Sequence, residues 1–258
     1  MFKIAFFDID WTLFDHKNHV WPKSAVSSLK ALKEKGIKVV LCTARPYHSM
    51  EAFGVFDLGI DFDGYISSAG GVAYCDGVFA LKNLMKGTDV ISFCNKAKEK
   101  SLTLELVEVT TRKLVFPLTE YSNTFYEAFH EVVPPMGKYE GEEVVGINLF
   151  APDSVDKEFM DAFPQLIYSR YFETAVDVMG TPHLKGLAVK SVLEHYGYKK
   201  EEAIGFGDDL QDISMAEHVG SFVCMGQGKD EVKKIATYVS TPVWEDGVYD
   251  GLRHFKLL

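Results

Sequence analysis

Residues 5–14 read AFFDIDWTLF, an apolar run that ends in two carboxylates, Asp8 and Asp10, with Thr12 two residues further on. Two unit charges about 4 Å apart repel by roughly 1 kcal/mol in water and about four times that near a protein surface. Carboxylates gathered at one place therefore call for a counterion. Related groups recur along the chain: Thr43 and Arg45 after IKVVLC, Lys185 in HLKG, and Asp208, Asp209 and Asp212 in GDDLQD. A divalent cation with oxygen ligands removes the repulsion. Magnesium suits this set, since it takes a few carboxylates, keeps waters and meets a substrate phosphate. A hydroxyl (Thr43) and an ammonium (Lys185) facing it would complete a cradle for a phosphoryl group, whose transfer needs mainly positioning and charge stabilisation.

Such a set works only if the fold brings its members together. KIAFF (3–7), IKVVLC (37–42), GYIS (64–67), AIGFG (203–207), SFVCMG (221–226) and YVS (238–240) read as short strands. Most are apolar throughout, as strands covered on both faces are. Helical spacing joins them in the segment 22–35, with Ala25, Val26, Leu29 and Leu32 inward, and more briefly in 44–54. It returns in 184–197, with Leu187, Val189, Val192 and Leu193 inward, in 209–220 and around 231–235. This βα alternation predicts a Rossmann-like α/β core with a parallel sheet. Reactive groups in such a sheet gather at the carboxyl ends of the strands, where Asp8, Asp10, Thr43 and Asp208 fall.

The middle of the chain has another rhythm: helix 86–100, strands 102–107 and 113–116, helix 120–132, strand 144–150, helix 154–163, and strands 165–169 and 172–179. Several of these strands alternate polar and apolar residues, which predicts an antiparallel sheet with one open face. The reading is an α+β unit inserted into the first, with residues 1–83 and 183–258 as the core domain and 84–182 as the insertion.

The 258 residues carry a formal net charge of −10, with 47% hydrophobic and 25% charged residues. That balance predicts a sizeable core and a surface that repels nucleic acid and anionic membrane, so neither is an expected partner. Cys42, Cys75, Cys94 and Cys224 are scattered with no metal-site or disulfide spacing, and no apolar run reaches membrane-spanning length. The expected location is the cytoplasm.

Four of these motifs, taken in order, resemble the haloacid dehalogenase superfamily of phosphatases, specifically its Cof-like, type IIB branch. DIDWTLF is similar to the first motif of that family, TAR to its second, HLKG to its third and GDDLQD to its fourth. The resemblance covers the whole chain, because the insertion falls where that branch carries a type C2B cap. It implies that Asp8 is a nucleophile forming an aspartyl-phosphate and that Asp10 is the general acid and base. It further implies that Thr43 and Lys185 bind the phosphoryl group, and that Asp8, the Asp10 carbonyl, Asp208 and Asp212 hold Mg²⁺. Small phosphorylated metabolites would be the substrates, with sugar phosphates first and phosphorylated cofactors such as pyridoxal phosphate or flavin mononucleotide next. The alternatives are a phosphomutase, or a non-catalytic module that binds a phosphorylated metabolite.

Two positions depart from the family pattern. Trp11 stands where Gly is common, so an ordinary backbone with φ below zero is expected there, with the indole directed toward the cap. Its side chain either packs in the hinge region or forms a wall beside the leaving group. Gln211 stands where Asn is usual. Arg45 either touches the substrate or makes an ion pair, and Asp209 is read as a cap for the following helix. His16 and His19 are expected to be solvated loop residues. SSAGG (67–71) reads as a tight turn between core and cap, and Asn148, Arg170 and Glu173 as polar residues on or beside the strands of the insertion.

Overall fold

The computed structural model describes residues 1–258, which fold as two compact units, Met1–Leu81 with Leu184–Leu258, and Lys82–His183. The architecture is α/β, a parallel-sheet core interrupted by an α+β unit. No helix is long and apolar enough to cross a membrane.

The first unit opens with β1 (Ile4–Phe7), α1 (Lys23–Glu34), β2 (Lys38–Cys42), α2 (Tyr47–Ala52), β3 (Gly64–Ser67), β4 (Val72–Cys75) and β5 (Val78–Lys82). The second unit holds α3 (Gly87–Glu99), β6 (Thr103–Glu108), β7 (Arg112–Val115), α4 (Glu120–Phe129), β8 (Val144–Phe150), α5 (Asp156–Ala162), β9 (Ile167–Phe172) and β10 (Ala175–Met179). The chain then returns to the first through α6 (Lys185–Tyr196), β11 (Ala203–Gly207), α7 (Ile213–Ala216), β12 (Ser221–Cys224), α8 (Asp230–Ile235), β13 (Tyr238–Val239) and α9 (Gly247–His254).

The core sheet runs β13-β12-β11-β1-β2-β3-β4-β5 and is parallel from β13 to β3. β1 and β11 are buried along their whole length, which is why they carry no polar alternation. β4 turns back antiparallel on β3. That hairpin and the C-terminal helix α9, which packs against α1, add to the expected pattern. Two expectations fail here. Leu187 is 47% exposed rather than inward, because α6 turns Ala188, Val189, Val192 and Leu193 to the sheet. The helix expected over 209–220 is a tight turn at Leu210–Asp212 followed by the short α7. Carboxylates of Asp209 and Asp212 take the amides of Leu210, Asp208 and Asp209, so side chains replace helical carbonyls as acceptors.

The second unit is an antiparallel sheet, β7-β6-β8-β10-β9. The turn between its last two strands falls at Glu173 and Thr174, so the strands expected over 165–169 and 172–179 run over Ile167–Phe172 and Ala175–Met179. One face carries Leu104, Leu106, Ile147, Leu149, Val176 and Val178 against Phe93 of α3 and Phe159 of α5. The other face, expected to be open, is partly covered by Phe125 and Tyr126 of α4, packed on Leu114, Phe150 and Ala175. In register beside them lie Glu105, Asn148 and Asp177. Asn148 donates to Glu105 (3.2 Å), as does the Tyr126 hydroxyl (2.5 Å). Arg170 forks onto Asp156 and its guanidinium reaches the Glu173 backbone carbonyl, whereas the Glu173 side chain is exposed.

Candidate active site

The carboxyl ends of β1, β2 and β11 converge because these strands are neighbours in the sheet. Asp8 extends the ladder by one residue, its amide donating to the Phe206 carbonyl (3.0 Å). Thr43 does the same beside β3, donating to Ile66 (2.9 Å). Lys185 is the first residue of α6. Its place depends on the SSAGG turn, where Gly70 has φ +102° and lies against the backbone of Leu184. A Cβ at Gly70 would meet the Leu184 oxygen at 2.4 Å, so only glycine lets the turn seat the start of α6.

Lys185 Nζ sits between two carboxylates, 2.9 Å from Asp8 and 2.7 Å from Asp212. All three are at most 6% exposed. Burial pulls the Lys185 ammonium down, but the charges of Asp212 and Asp8 outweigh it and hold it above its ordinary range. Asp8 is pushed well up, first by burial, with Lys185 opposing and Asp212 and Asp208 adding to the rise. Asp208 is raised to about 7 by burial and by Asp212. Thr12 steadies it, donating its hydroxyl to Oδ1 (3.2 Å).

Oxygens of Asp8, Asp208 and Asp212 lie within 4.8 Å of one another. Three buried carboxylates against one ammonium leave an excess of two negative charges, and the raised Asp8 and Asp208 express it. The donor set is all oxygen, so a hard divalent cation fits it in charge and in chemistry. Asp212 is the least free of the three. Its Oδ1 takes Lys185, and its Oδ2 takes the amides of Asp208 (2.9 Å) and Asp209 (3.1 Å). Gly207 makes room for that carboxyl, since a Cβ there would come within 2.5 Å of it.

Asp10 belongs to a second, neighbouring group. Arg45 grips it through both oxygens, Nε to Oδ2 at 2.8 Å and Nη2 to Oδ1 at 2.7 Å. The guanidinium stacks on Phe53, 3.9 Å from the ring centroid, and reaches Ser49. His16 Nε2 lies 2.7 Å from Asp10 Oδ1. Burial would raise the Asp10 carboxyl, but the Arg45 and His16 contacts prevail and hold it low. Arg45 therefore makes an ion pair, and its partner is Asp10. His16, expected to be solvated, is a first neighbour of that carboxylate, whereas His19 is exposed. A signal for His16 was present in D-x-x-N: buried Asp15 accepts the amides of Lys17 and Asn18 and the Asn18 side chain, fixing the loop that carries His16.

Trp11 overturns another expectation, because its φ is +59° and not negative. The turn dictates this. Amides of Thr12, Leu13 and Phe14 all point at the Ile9 carbonyl, the Trp11 amide donates to Phe14, and Gln227 Nε2 donates to the Trp11 carbonyl (2.5 Å). Left-handed backbone costs a residue with a Cβ roughly 1–2 kcal/mol, which these bonds offset. Among the remaining positions, Thr43 is buried and its Oγ1 accepts the Arg45 amide (3.1 Å), which leaves its O–H to donate. Asp209 caps the following turn and pairs with Lys229 (2.6 Å). Gln211 is exposed, and its carbonyl accepts the Ser214 hydroxyl.

Sequence comparison decides the family. The haloacid dehalogenase-like hydrolases match residues 5–252, nearly the whole chain. This chain belongs to that family. A similar relative is "Putative phosphatase YkrA" of Bacillus subtilis (strain 168), 28% identical over 260 aligned residues, with 99% of this chain and 98% of that protein covered. Among solved structures, a hypothetical protein from Geobacillus kaustophilus HTA426 has a TM-score of 0.92 at 26% identity, with each chain covered in full. The subclass IIB sugar phosphatase BT4131 has a TM-score of 0.76 at 29% identity, covering 99% of this chain and 100% of that one. The chain is thus a hydrolase of this family, with phosphatases among its relatives.

Proposed function

We propose that this enzyme is a Mg²⁺-dependent phosphatase that hydrolyses small phosphomonoesters through an aspartyl-phosphate on Asp8, with sugar phosphates as the leading substrate class. The observation that carries the reading is the buried Asp8–Lys185–Asp212 array beside Asp208, at the carboxyl ends of adjacent parallel strands. Similarity to a sugar phosphatase over nearly the full length supports the substrate class.

In this reading an Asp8 carboxylate oxygen attacks phosphorus, and the bond from phosphorus to the leaving oxygen breaks. Lys185 orients Asp8 and, with the Thr43 hydroxyl, neutralises the phosphoryl oxygens. Asp10 gives the departing oxygen its proton, then takes one from the water that attacks phosphorus and releases Asp8. Asp10 enters the first step protonated, and the proton it takes from the water restores that acid; the contacts of Arg45 and His16 favour the ionised form it holds between the two steps. Asp8, the Asp10 carbonyl and Asp208 would hold the cation, and Asp212, with both oxygens already engaged, would reach it through water. When bound, the cation supplies charge neutralisation at the phosphoryl group. Residues 84–182 act as the cap that selects the leaving group, and the enzyme works in the cytoplasm.

The test is phosphate release from a panel of sugar, nucleotide and cofactor phosphates, with Mg²⁺ or with chelator, for wild type and Asp8→Asn. Metal-dependent release that disappears in the variant is expected. Release that survives Asp8→Asn would overturn the assignment.

A further inference from the structure

Trp11 is costly where it stands, and the structure shows what it faces. The residue adopts φ +59°, where glycine is free of strain and tryptophan is not. Its indole is not put away in the core to compensate, since the residue is 37% exposed. It is nonetheless held in place. Trp244 meets it edge to face, with ring centroids 6.5 Å apart and planes at 81°. Lys17 Nζ sits 4.6 Å over the Trp244 ring. On the near side the His16 ring lies 5.2 Å from the indole, and the same imidazole touches Asp10 at 2.7 Å. A strained, braced and solvent-facing aromatic residue thus stands one imidazole away from the carboxylate that handles the leaving group's proton. Strain kept at such a place points to function.

We infer that Trp11 is a specificity-determining residue: its indole is a platform for leaving groups whose ring presents an apolar face, a pyranose through its C–H face or an aromatic heterocycle through its π face. This rests on the phosphatase reading, which places the leaving group beside Asp10. Aromatic faces favour rings by dispersion and by C–H or π contact. A short acyclic leaving group has no face to lay on the indole.

The test uses equilibrium binding, so that it stands apart from turnover. In the Asp8→Asn background, calorimetry with Mg²⁺ compares glucose 6-phosphate, flavin mononucleotide and glycerol 1-phosphate. The same three are then titrated into Asp8→Asn/Trp11→Gly and Asp8→Asn/Trp11→Phe. The expected result is that Trp11→Gly weakens one or both ring ligands about tenfold relative to glycerol 1-phosphate, as loss of an aromatic contact of this kind does. Trp11→Phe keeps most of the preference. Whichever ring ligand loses more identifies the class as sugar or heterocycle. An equal change for all three ligands, or none, overturns the platform. If instead wild type shows no metal-dependent turnover, or Asp8→Asn keeps it, the phosphatase reading fails while the binding comparison still decides the role of Trp11.

Discussion

Lys185→Met removes the one ammonium from a site that holds three buried carboxylates and leaves a side chain of similar length. Each lost contact, 2.9 Å to Asp8 and 2.7 Å to Asp212, has a gross attraction of about 6 kcal/mol at an effective dielectric near 20. The net loss is smaller, because the wild type also bears the cost of burying the lysine. Breaking a buried pair by removing one partner typically costs 3–5 kcal/mol, and with two partners the upper end, about 5 kcal/mol, is expected here. Asp8, pushed well up, and Asp208, raised to about 7, limit the damage by taking a proton, so the loss should be smaller at pH 6 than at pH 8. A divalent cation supplies the missing charge by another route, so Mg²⁺ should stabilise Lys185→Met more than it stabilises wild type. Urea denaturation followed by circular dichroism, with chelator and with Mg²⁺ at both pH values, reads all three effects. A loss below about 1 kcal/mol, or a larger loss that neither pH nor metal alters, would refute the charge-balance reasoning.

Three further outcomes follow from single contacts. Asp177 is raised to about 7 by burial and by Glu105, so the folded state binds its proton more tightly than the unfolded chain, and stability falls as pH climbs from about 4 to about 7. Asp177→Asn should flatten that slope and stabilise the protein at pH 8, by about 4 kcal/mol at most, as read by denaturation across pH. Gly207→Ala would drive a Cβ into the Asp212 carboxyl, so it should cost about 1–3 kcal/mol and weaken Mg²⁺ binding in a calorimetric titration. Asp10 is held low, with its carboxylate in a fork that is about one-third exposed, so Arg45→Met should cost only about 1 kcal/mol at pH 7. That loss should fade as pH falls through the folded-state value of Asp10, since the pair needs the ionised acid.

The sheet and the main cluster were legible because their signals are local or topological. Fully apolar four- and five-residue runs mark β1 and β11, and a parallel sheet gathers whatever follows those runs. Asp8, Lys185, Asp208 and Asp212 meet for that reason, although more than two hundred residues separate the first from the last. What escaped depends on geometry that no periodicity encodes. Leu187 fits the helical spacing of Val189, Val192 and Leu193, but α6 turns Ala188 to the sheet in its place. His16 looked like a loop residue until Asp15 fixed its loop, and Trp11 looked incompatible with φ above zero until the Ile9 carbonyl drew three amides around it. The Arg45–Asp10 fork has its partners 35 residues apart on different strand ends, a pairing that spacing alone leaves open.

The most direct test of the central claim is to look for the phosphoryl group on Asp8. Wild type is mixed with Mg²⁺ and an intact sugar phosphate that it turns over, quenched in acid within milliseconds, reduced with borohydride and digested for mass spectrometry. Homoserine is expected in place of aspartate at position 8, at a level set by turnover and absent without Mg²⁺. Turnover with aspartate intact at position 8, or with the adduct on another residue, would contradict it.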